Sequence, residues 1–71
     1  MNLREFRKSK NLTLEKVGYL AGLDPATLSR VERALVRPGP ITIVRLANAF
    51  GCSVRRMDEL ISTTAEKSDV D

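Results

Sequence analysis

Residues 13–34 read TLEKVGYLAGLDPATLSRVERA, and this stretch decides the fold. Thr13 is a good N-cap, and three apolar residues after it recur at the spacing of an amphipathic helix. They are Val17, Leu20 and Ala21. Gly22 suits the left-handed conformation that ends a helix, and a new start signal follows at once, with Asp24 as N-cap and Pro25 at the first helical position. The stretch therefore predicts two helices joined by a tight turn.

Both helices of this pair carry further local signals. The second is expected to run from Pro25 to about Ala34, with Leu28 and Val31 facing inward. Gly18 lies in the middle of the first helix, where it permits a close approach of the second and weakens the helix by ~1 kcal/mol relative to Ala. Two helices joined by a short turn that contains Gly form a helix-turn-helix unit.

The rest of the chain also divides into short helices. They are expected over residues 2–9, 40–50 and 54–61, with Gly39-Pro40 opening one and Ser53 capping another. Their apolar stripes are Leu3 and Phe6; Ile43, Leu46, Ala47 and Phe50; and Val54, Met57, Leu60 and Ile61. The predicted fold class is all-α, with five short helices in one compact domain over residues 1–61.

The charge of the chain is unevenly distributed. Residues 1–56 carry eleven Lys and Arg against four acids, which gives +7, whereas residues 57–71 carry one Lys against five acids, which gives −4. A basic body fits a polyanionic partner such as nucleic acid, although an ordinary solvated surface explains such a charge as well. Residues 62–71 (STTAEKSDVD) lack periodic apolar residues, so we expect a flexible acidic C-terminal tail.

Several classes of function find no support in the composition. The chain has no His and a single Cys, Cys52, so it offers no zinc cluster and no His general base. We therefore expect no catalytic residues, no metal site and no cofactor, and we expect the protein not to be an enzyme. No apolar stretch reaches 18 residues and no signal peptide is recognisable, so we expect a cytoplasmic protein without a membrane span.

A longer pattern of residues is more specific than the helix pair alone. Its blocks are LREFR at 3–7, LT at 12–13, LAGL at 20–23, TLSRVER at 27–33, Pro38 and RLANAFGCS at 45–53. With these blocks the chain resembles the lambda-repressor-like family of Cro/CI-type helix-turn-helix regulators over about residues 3–60. The resemblance implies a lambda-repressor-like DNA-binding domain whose helix-turn-helix is formed by helices 2 and 3. It also implies a transcriptional regulator that reads double-stranded DNA through the major groove.

The resemblance assigns base reading to the start of the third helix. Ala26 is expected to contact a thymine methyl group, Thr27 to reach a base edge or a phosphate, and Arg30 to read guanine through its O6 and N7 atoms. An ordinary exposed cation is the alternative reading of Arg30. Pro25 departs from the family pattern, because many relatives carry a polar residue there and one base contact is lost.

Contacts with the DNA backbone are assigned to Thr13, Arg33 and Arg37, which set register and affinity without choosing sequence. Arg37 is equally well read as a solvated loop charge. In the family, the positions of Arg7 and Glu32 commonly form a partly buried ion pair that ties the first helix to the third, a structural role. Ala34 replaces the usual Gly, so the third helix is expected to end differently or to run slightly longer.

Oligomeric state and partners follow from argument at this stage. One such domain reads few base pairs, so a homodimer on a pseudo-palindromic operator is expected, with repression as the default. The expected dimer contact lies in the region of helices 4 and 5, near Pro40 and residues 54–61. The rival is a protein-binding module of the same fold, an antitoxin or an adaptor. The acidic tail then either docks the partner protein or only keeps the chain in solution. The operator, the inducing signal and the choice between repression and activation stay open.

Overall fold

The computed structural model describes residues 1–68, with side chains as far as Thr64. Its five helices are α1 (Leu3–Ser9), α2 (Leu14–Ala21), α3 (Pro25–Glu32), α4 (Pro40–Phe50) and α5 (Val54–Ser68). No strand occurs within residues 1–68. The predicted all-α class with five short helices is therefore confirmed.

Polar caps start most of the helices. The side-chain oxygens of Asn2, Thr13 and Ser53 each accept a hydrogen bond from a first-turn backbone N–H, at 2.8, 3.0 and 3.0 Å. α3 and α4 instead begin with a proline, whose missing N–H is no loss in the first turn. Asp24 occupies the N-cap position of α3 as predicted, but its side chain makes no capping hydrogen bond.

The first four helices all end in the same way. A residue with positive φ follows each of them, namely Asn11, Gly22, Ala34 and Gly51. After α2, for example, the Leu23 N–H donates to the Gly18 carbonyl at 2.7 Å and the Gly22 N–H donates to the Tyr19 carbonyl. This pair of bonds is the Schellman motif, which satisfies carbonyls that a helix end would otherwise leave open.

One apolar core joins the five helices. Its buried side chains are Leu3, Val17, Ala21, Leu28, Val31, Leu46, Ala47, Phe50, Met57, Leu60 and Ile61. Two residues expected on buried stripes are exposed instead, Leu20 on α2 and Val54 on α5. The buried face of α2 is centred on Val17, Gly18 and Ala21, and Leu20 lies outside it. Val54 lies in the first turn of α5, ahead of the turns that reach the core.

Gly18 brings the start of α3 very close to α2. A Cβ atom at this position would lie 2.6 Å from the carbonyl oxygen of Leu23 and 3.7 Å from the backbone nitrogen of Pro25. These are main-chain atoms of the turn, so they can move away only if the turn itself shifts. The expectation that Gly18 permits a close approach of the two helices is thus confirmed.

The fifth helix is longer than the sequence predicts. We expected it to end near Ile61, yet it continues to Ser68. The buried Thr64 hydroxyl accepts from the Leu3 N–H at 2.8 Å and donates to the Leu60 carbonyl at 2.8 Å. Residues 62–64 therefore belong to the packed domain, because this bond supplies a partner for a first-turn amide of α1. Residues 69–71 of the expected acidic tail lie outside the described part of the chain.

The end of α3 also differs from the expectation. The helix stops at Glu32 rather than near Ala34, and Ala34 itself adopts the left-handed conformation with φ of 58°. The Leu35 N–H donates to the Arg30 carbonyl at 2.8 Å and the Ala34 N–H donates to the Val31 carbonyl at 3.0 Å. These two bonds hold Ala34 in a conformation that disfavours any residue with a Cβ atom.

Replacing Ala34 with Gly should consequently stabilise the domain by about 0.5–1 kcal/mol, because Gly adopts positive φ without steric strain. Urea unfolding of the variant measures the change. The control is Ala49→Gly within α4, where the same substitution should lower the free energy of unfolding by about 1 kcal/mol. A loss of stability in Ala34→Gly would contradict the strain inferred at this position.

Candidate nucleic-acid interface

The position of α3 depends on a buried ion pair. The Arg7 guanidinium donates to the Glu32 carboxylate through Nε at 2.6 Å and through the Nη2 atom at 3.3 Å. It also donates to the Leu12 carbonyl at 2.8 Å. The two charged side chains are only 9% and 4% exposed. Arg7 thus joins α1, the loop before α2 and the last turn of α3 in one bidentate arrangement.

Burial of one side of α3 leaves the other side open to solvent. Leu28 and Val31 are in the core, whereas Ala26 and Arg30 are exposed and Thr27 is half-buried. Ala26 and Arg30 are four residues apart and therefore lie on one face, with Thr27 beside them. We call Ala26, Thr27 and Arg30 the reading face. The three base-reading positions inferred from the sequence thus lie together on an accessible helix surface.

The three positions predicted to contact phosphate lie at element ends. Thr13 is exposed, and its oxygen accepts the Lys16 N–H, which leaves the hydroxyl hydrogen free to donate. Arg33 is exposed at the C-cap of α3. Arg37 lies in the next loop, where its guanidinium is 3.8 Å from the Asp58 carboxylate, with both side chains more than half exposed. Such an exposed pair is worth about 0–1 kcal/mol, so it restrains Arg37 only weakly.

An apolar groove lies between the start of α4 and the start of α5. Its apolar lining consists of Pro38, Pro40, Ile43, Val44 and Val54, and charges border it at Arg37, Arg55 and Asp58. Beside it, Ile41 in the first turn of α4 is 71% exposed. The preceding loop adds the exposed side chains of Leu35 and Val36. This surface is a second feature of the molecule, separate from the reading face.

The apolar groove lies in the region of helices 4 and 5 in which the sequence analysis expects a dimer contact, and that contact stays a prediction. The helix α4 (PITIVRLANAF) is apolar on more than one side. Leu46, Ala47 and Phe50 face the core, while Ile41 and Val44 are one turn apart and exposed. A helix that carries apolar residues on all sides is usually packed against neighbours on more than one side. The sequence of α4 therefore indicates a second apolar surface besides the one that faces the core.

The single cysteine offers no reactive thiolate. Cys52 is half-buried just before α5, and burial raises the pKa of its thiol above the ordinary value, although the nearby charges of Lys10 and Arg56 oppose this shift. At neutral pH the thiol therefore stays protonated. In the described part of the chain, no three His, Cys, Asp or Glu side chains lie close enough to hold a metal ion.

Comparison with known families agrees with this geometry. The model of a helix-turn-helix family matches residues 3–56, which include α1 to α4 and the start of α5. The chain belongs to the Cro/CI-type helix-turn-helix family. No curated protein and no solved structure matches it. The family is one of DNA-binding transcription regulators, and α2, the turn at Gly22 and α3 are its helix-turn-helix in this chain.

This Cro/CI-type protein is thus a DNA-binding helix-turn-helix regulator. No helix within the described residues is both long enough and apolar enough to cross a lipid bilayer. The buried ion pair, the reading face and the three positions predicted to contact the DNA backbone all lie within the matched segment.

Removing one partner of the buried ion pair should be strongly destabilising. Glu32→Gln leaves the Arg7 charge buried without a carboxylate, and we expect a loss of about 3–5 kcal/mol in the free energy of unfolding. Glu59→Gln is the matched control, because Glu59 and Arg56 form an exposed pair at 3.9 Å, and its loss should stay below about 1 kcal/mol.

The double variant Arg7→Met with Glu32→Leu should recover most of that loss, since it leaves no charge unpaired. Urea unfolding of the three variants measures their free energies of unfolding relative to the wild type. Equal effects of Glu32→Gln and Glu59→Gln would show that α3 does not depend on this pair.

Proposed function

We propose that this protein is a sequence-specific repressor that binds a pseudo-palindromic operator in double-stranded DNA as a homodimer. The observation that carries the proposal is the reading face, where Ala26, Thr27 and Arg30 lie accessible at the start of the second helix of a helix-turn-helix. That helix is the one that enters the major groove in such proteins, and its N-terminal residues meet the base edges. Such a regulator acts in the cytoplasm, where bacterial or phage DNA is found.

Different atoms of the operator are matched by different residues of the reading face. Arg30 is exposed and belongs to no ion pair in the described residues, so its guanidinium is free to donate to O6 and N7 of one guanine. The Ala26 methyl group suits a thymine methyl, and the Thr27 hydroxyl bonds an adjacent base edge or phosphate. Guanine and thymine contacts in one half-site are therefore the chemistry that α3 selects.

Phosphate contacts orient α3 in the groove. Thr13 donates its free hydroxyl hydrogen at the start of α2, where first-turn amides also favour an anion. Arg33 and Arg37 act beyond the end of α3, and Arg37 exchanges its weak pair with Asp58 for a phosphate oxygen. The +7 charge of residues 1–56 supports binding to a polyanion.

A second copy of the chain is the occupant that best fits the apolar groove. A dimer on DNA needs a self-complementary patch, in which each surface meets its own copy. The groove meets this requirement, because Val44 and Val54 supply apolar contacts while Arg55 and Asp58 supply both signs of charge.

The rival function is that of a protein-binding module of the same fold, an antitoxin or an adaptor. Its partner would use the same apolar groove or the acidic C-terminal residues. The two functions differ in what the reading face does, because an adaptor has no need of Arg30. Binding to DNA of random sequence therefore separates them.

Selection from a randomised duplex pool should enrich one palindromic motif with the wild-type protein. Arg30→Ala should lose the preference at one base pair, at a cost of about 1–3 kcal/mol. Arg33→Ala should instead weaken binding equally on every sequence and lower the salt dependence by about one counterion. Enrichment of the same motif by Arg30→Ala would overturn the assignment of Arg30, and absence of any motif would favour the adaptor.

Disruption of the apolar groove should separate dimerisation from folding. Ile41→Lys places a charge beside the groove at an exposed site, so the fold should be kept while the dimer dissociates and operator affinity falls at least tenfold. Tyr19→Lys is the control, since Tyr19 is exposed on α2 outside the groove. Sedimentation of protein and protein–DNA complex measures the outcome, and a wild-type monomer on the operator would exclude the dimer.

A further inference from the structure

The apolar groove between α4 and α5 offers a second copy only a small surface. Eight residues line it, and the exposed side chains of Leu35, Val36 and Ile41 beside it bring the surface to eleven. A stable protein–protein interface takes about 20–30 residues from each partner, and smaller contacts belong to the weak, transient class. The groove by itself therefore supports only a weak association between two free copies.

The border of the groove carries more positive than negative charge. Two cations, Arg37 and Arg55, and one acid, Asp58, give it a net charge of +1 in each copy. Asp58 lies 3.8 Å from Arg37, whereas Arg55 joins no ion pair within the described part of the chain. The centre of an interface is normally depleted of charge, and like charges that meet across it oppose association. Two free copies thus bring an excess of positive charge to the same contact.

Operator DNA supplies both conditions that the free copies lack. Two half-sites on one duplex hold two copies side by side, which raises the effective concentration of each copy for the other to the millimolar range. Arg37 also lies in the loop after α3, where the proposed phosphate contact neutralises its charge. Occupying the half-sites therefore lowers the repulsion at the groove border at the same time as it brings the two grooves together.

We infer that a second copy docks at the apolar groove only on the operator, so that the protein is a monomer when free and a dimer when bound. A copy on one half-site recruits the next copy through the groove. At low occupancy, the bound fraction of operator then rises with the square of the protein concentration rather than in proportion to it. This inference rests on the proposed function, because it requires a regulator that reads two half-sites.

Sedimentation of the free protein tests whether the copies stay apart without DNA. At micromolar concentration and low salt the wild-type protein should be a monomer, and added salt should favour the dimer, because it screens the charges at the groove border. Arg55→Gln should self-associate several-fold more tightly than the wild type at low salt. The control is Arg45→Gln, which removes an exposed cation of α4 that does not line the groove and should leave self-association unchanged.

Titration of the operator tests whether DNA joins the copies. On the palindrome that the wild-type protein selects, the second copy should bind at least about tenfold more tightly than the first. Inserting half a turn of DNA, about five base pairs, between the half-sites should abolish this cooperativity and keep the affinity for each half-site. Ile41→Ser should have the same effect on the intact operator, whereas the control Tyr19→Ser, on exposed α2 surface, should keep the cooperativity.

Three outcomes would contradict the inference, and they differ in what they leave standing. A wild-type protein that already sediments as a dimer at low salt leaves the proposed dimeric repressor intact and excludes only assembly on the operator. Independent filling of the two half-sites excludes the groove as a dimer contact as well. If the wild-type protein selects no motif, the proposed function fails and this inference fails with it.

Discussion

The buried pair between Arg7 and Glu32 is the interaction on which the rest of the molecule depends. A helix as short as α3 is unstable alone, so its position must come from tertiary contacts. Leu28 and Val31 hold one side of it in the core, but apolar contacts have no direction and allow rotation about the helix axis. The two hydrogen bonds from Arg7 to Glu32 have direction, and they set the rotation of α3 at its last turn. The same rotation sets where Ala26 and Arg30 point.

The start of α3 is held by a different constraint. Gly18 allows the turn to lie against α2 with main-chain atoms in near contact, and the Leu23 N–H bonds the Gly18 carbonyl at 2.7 Å. A side chain between the two helices would push the turn outward and tilt α3. One end of the recognition helix is thus placed by the absence of a Cβ atom and the other by a buried charge pair. Both lie away from the reading face, which leaves that face free to change without loss of the fold.

The surface of the domain is divided by chemistry. The reading face carries two polar side chains, the half-buried Thr27 and the exposed Arg30, beside the exposed methyl group of Ala26. The apolar groove between α4 and α5 is lined by the exposed side chains of Val44 and Val54, with Ile41 beside it. A dimer formed through that groove would couple the distance between two reading faces to the packing of α4 against α5. In such a dimer, the packing at the groove would set the spacing of the operator half-sites.

The sequence by itself determined the starts of the helices, most of their ends and the family, because these follow from signals that act over a few residues. Thr13 and Ser53 cap α2 and α5, Gly22 and Gly51 end α2 and α4, and Leu28 and Val31 have the spacing of a buried stripe. Within the candidate site, the same local rules predicted the start of α3 and its inward-facing residues, whereas the base-reading positions followed from the family resemblance. They failed at Ala34, where two hydrogen bonds hold an alanine in a conformation that its own preference disfavours.

Only the tertiary structure decided the features that join residues distant in the chain. The Thr64 hydroxyl bonds the Leu3 amide across 61 positions, so nothing near Thr64 in the sequence indicates that α5 passes Ile61. The exposure of Ile41 depends on which side of α4 packs against the core. Local preferences specify helices because their bonds close within four or five residues. Hydrogen bonds between distant residues and the exposure of a helix face depend on how the helices pack together. No single stretch of the sequence specifies that packing.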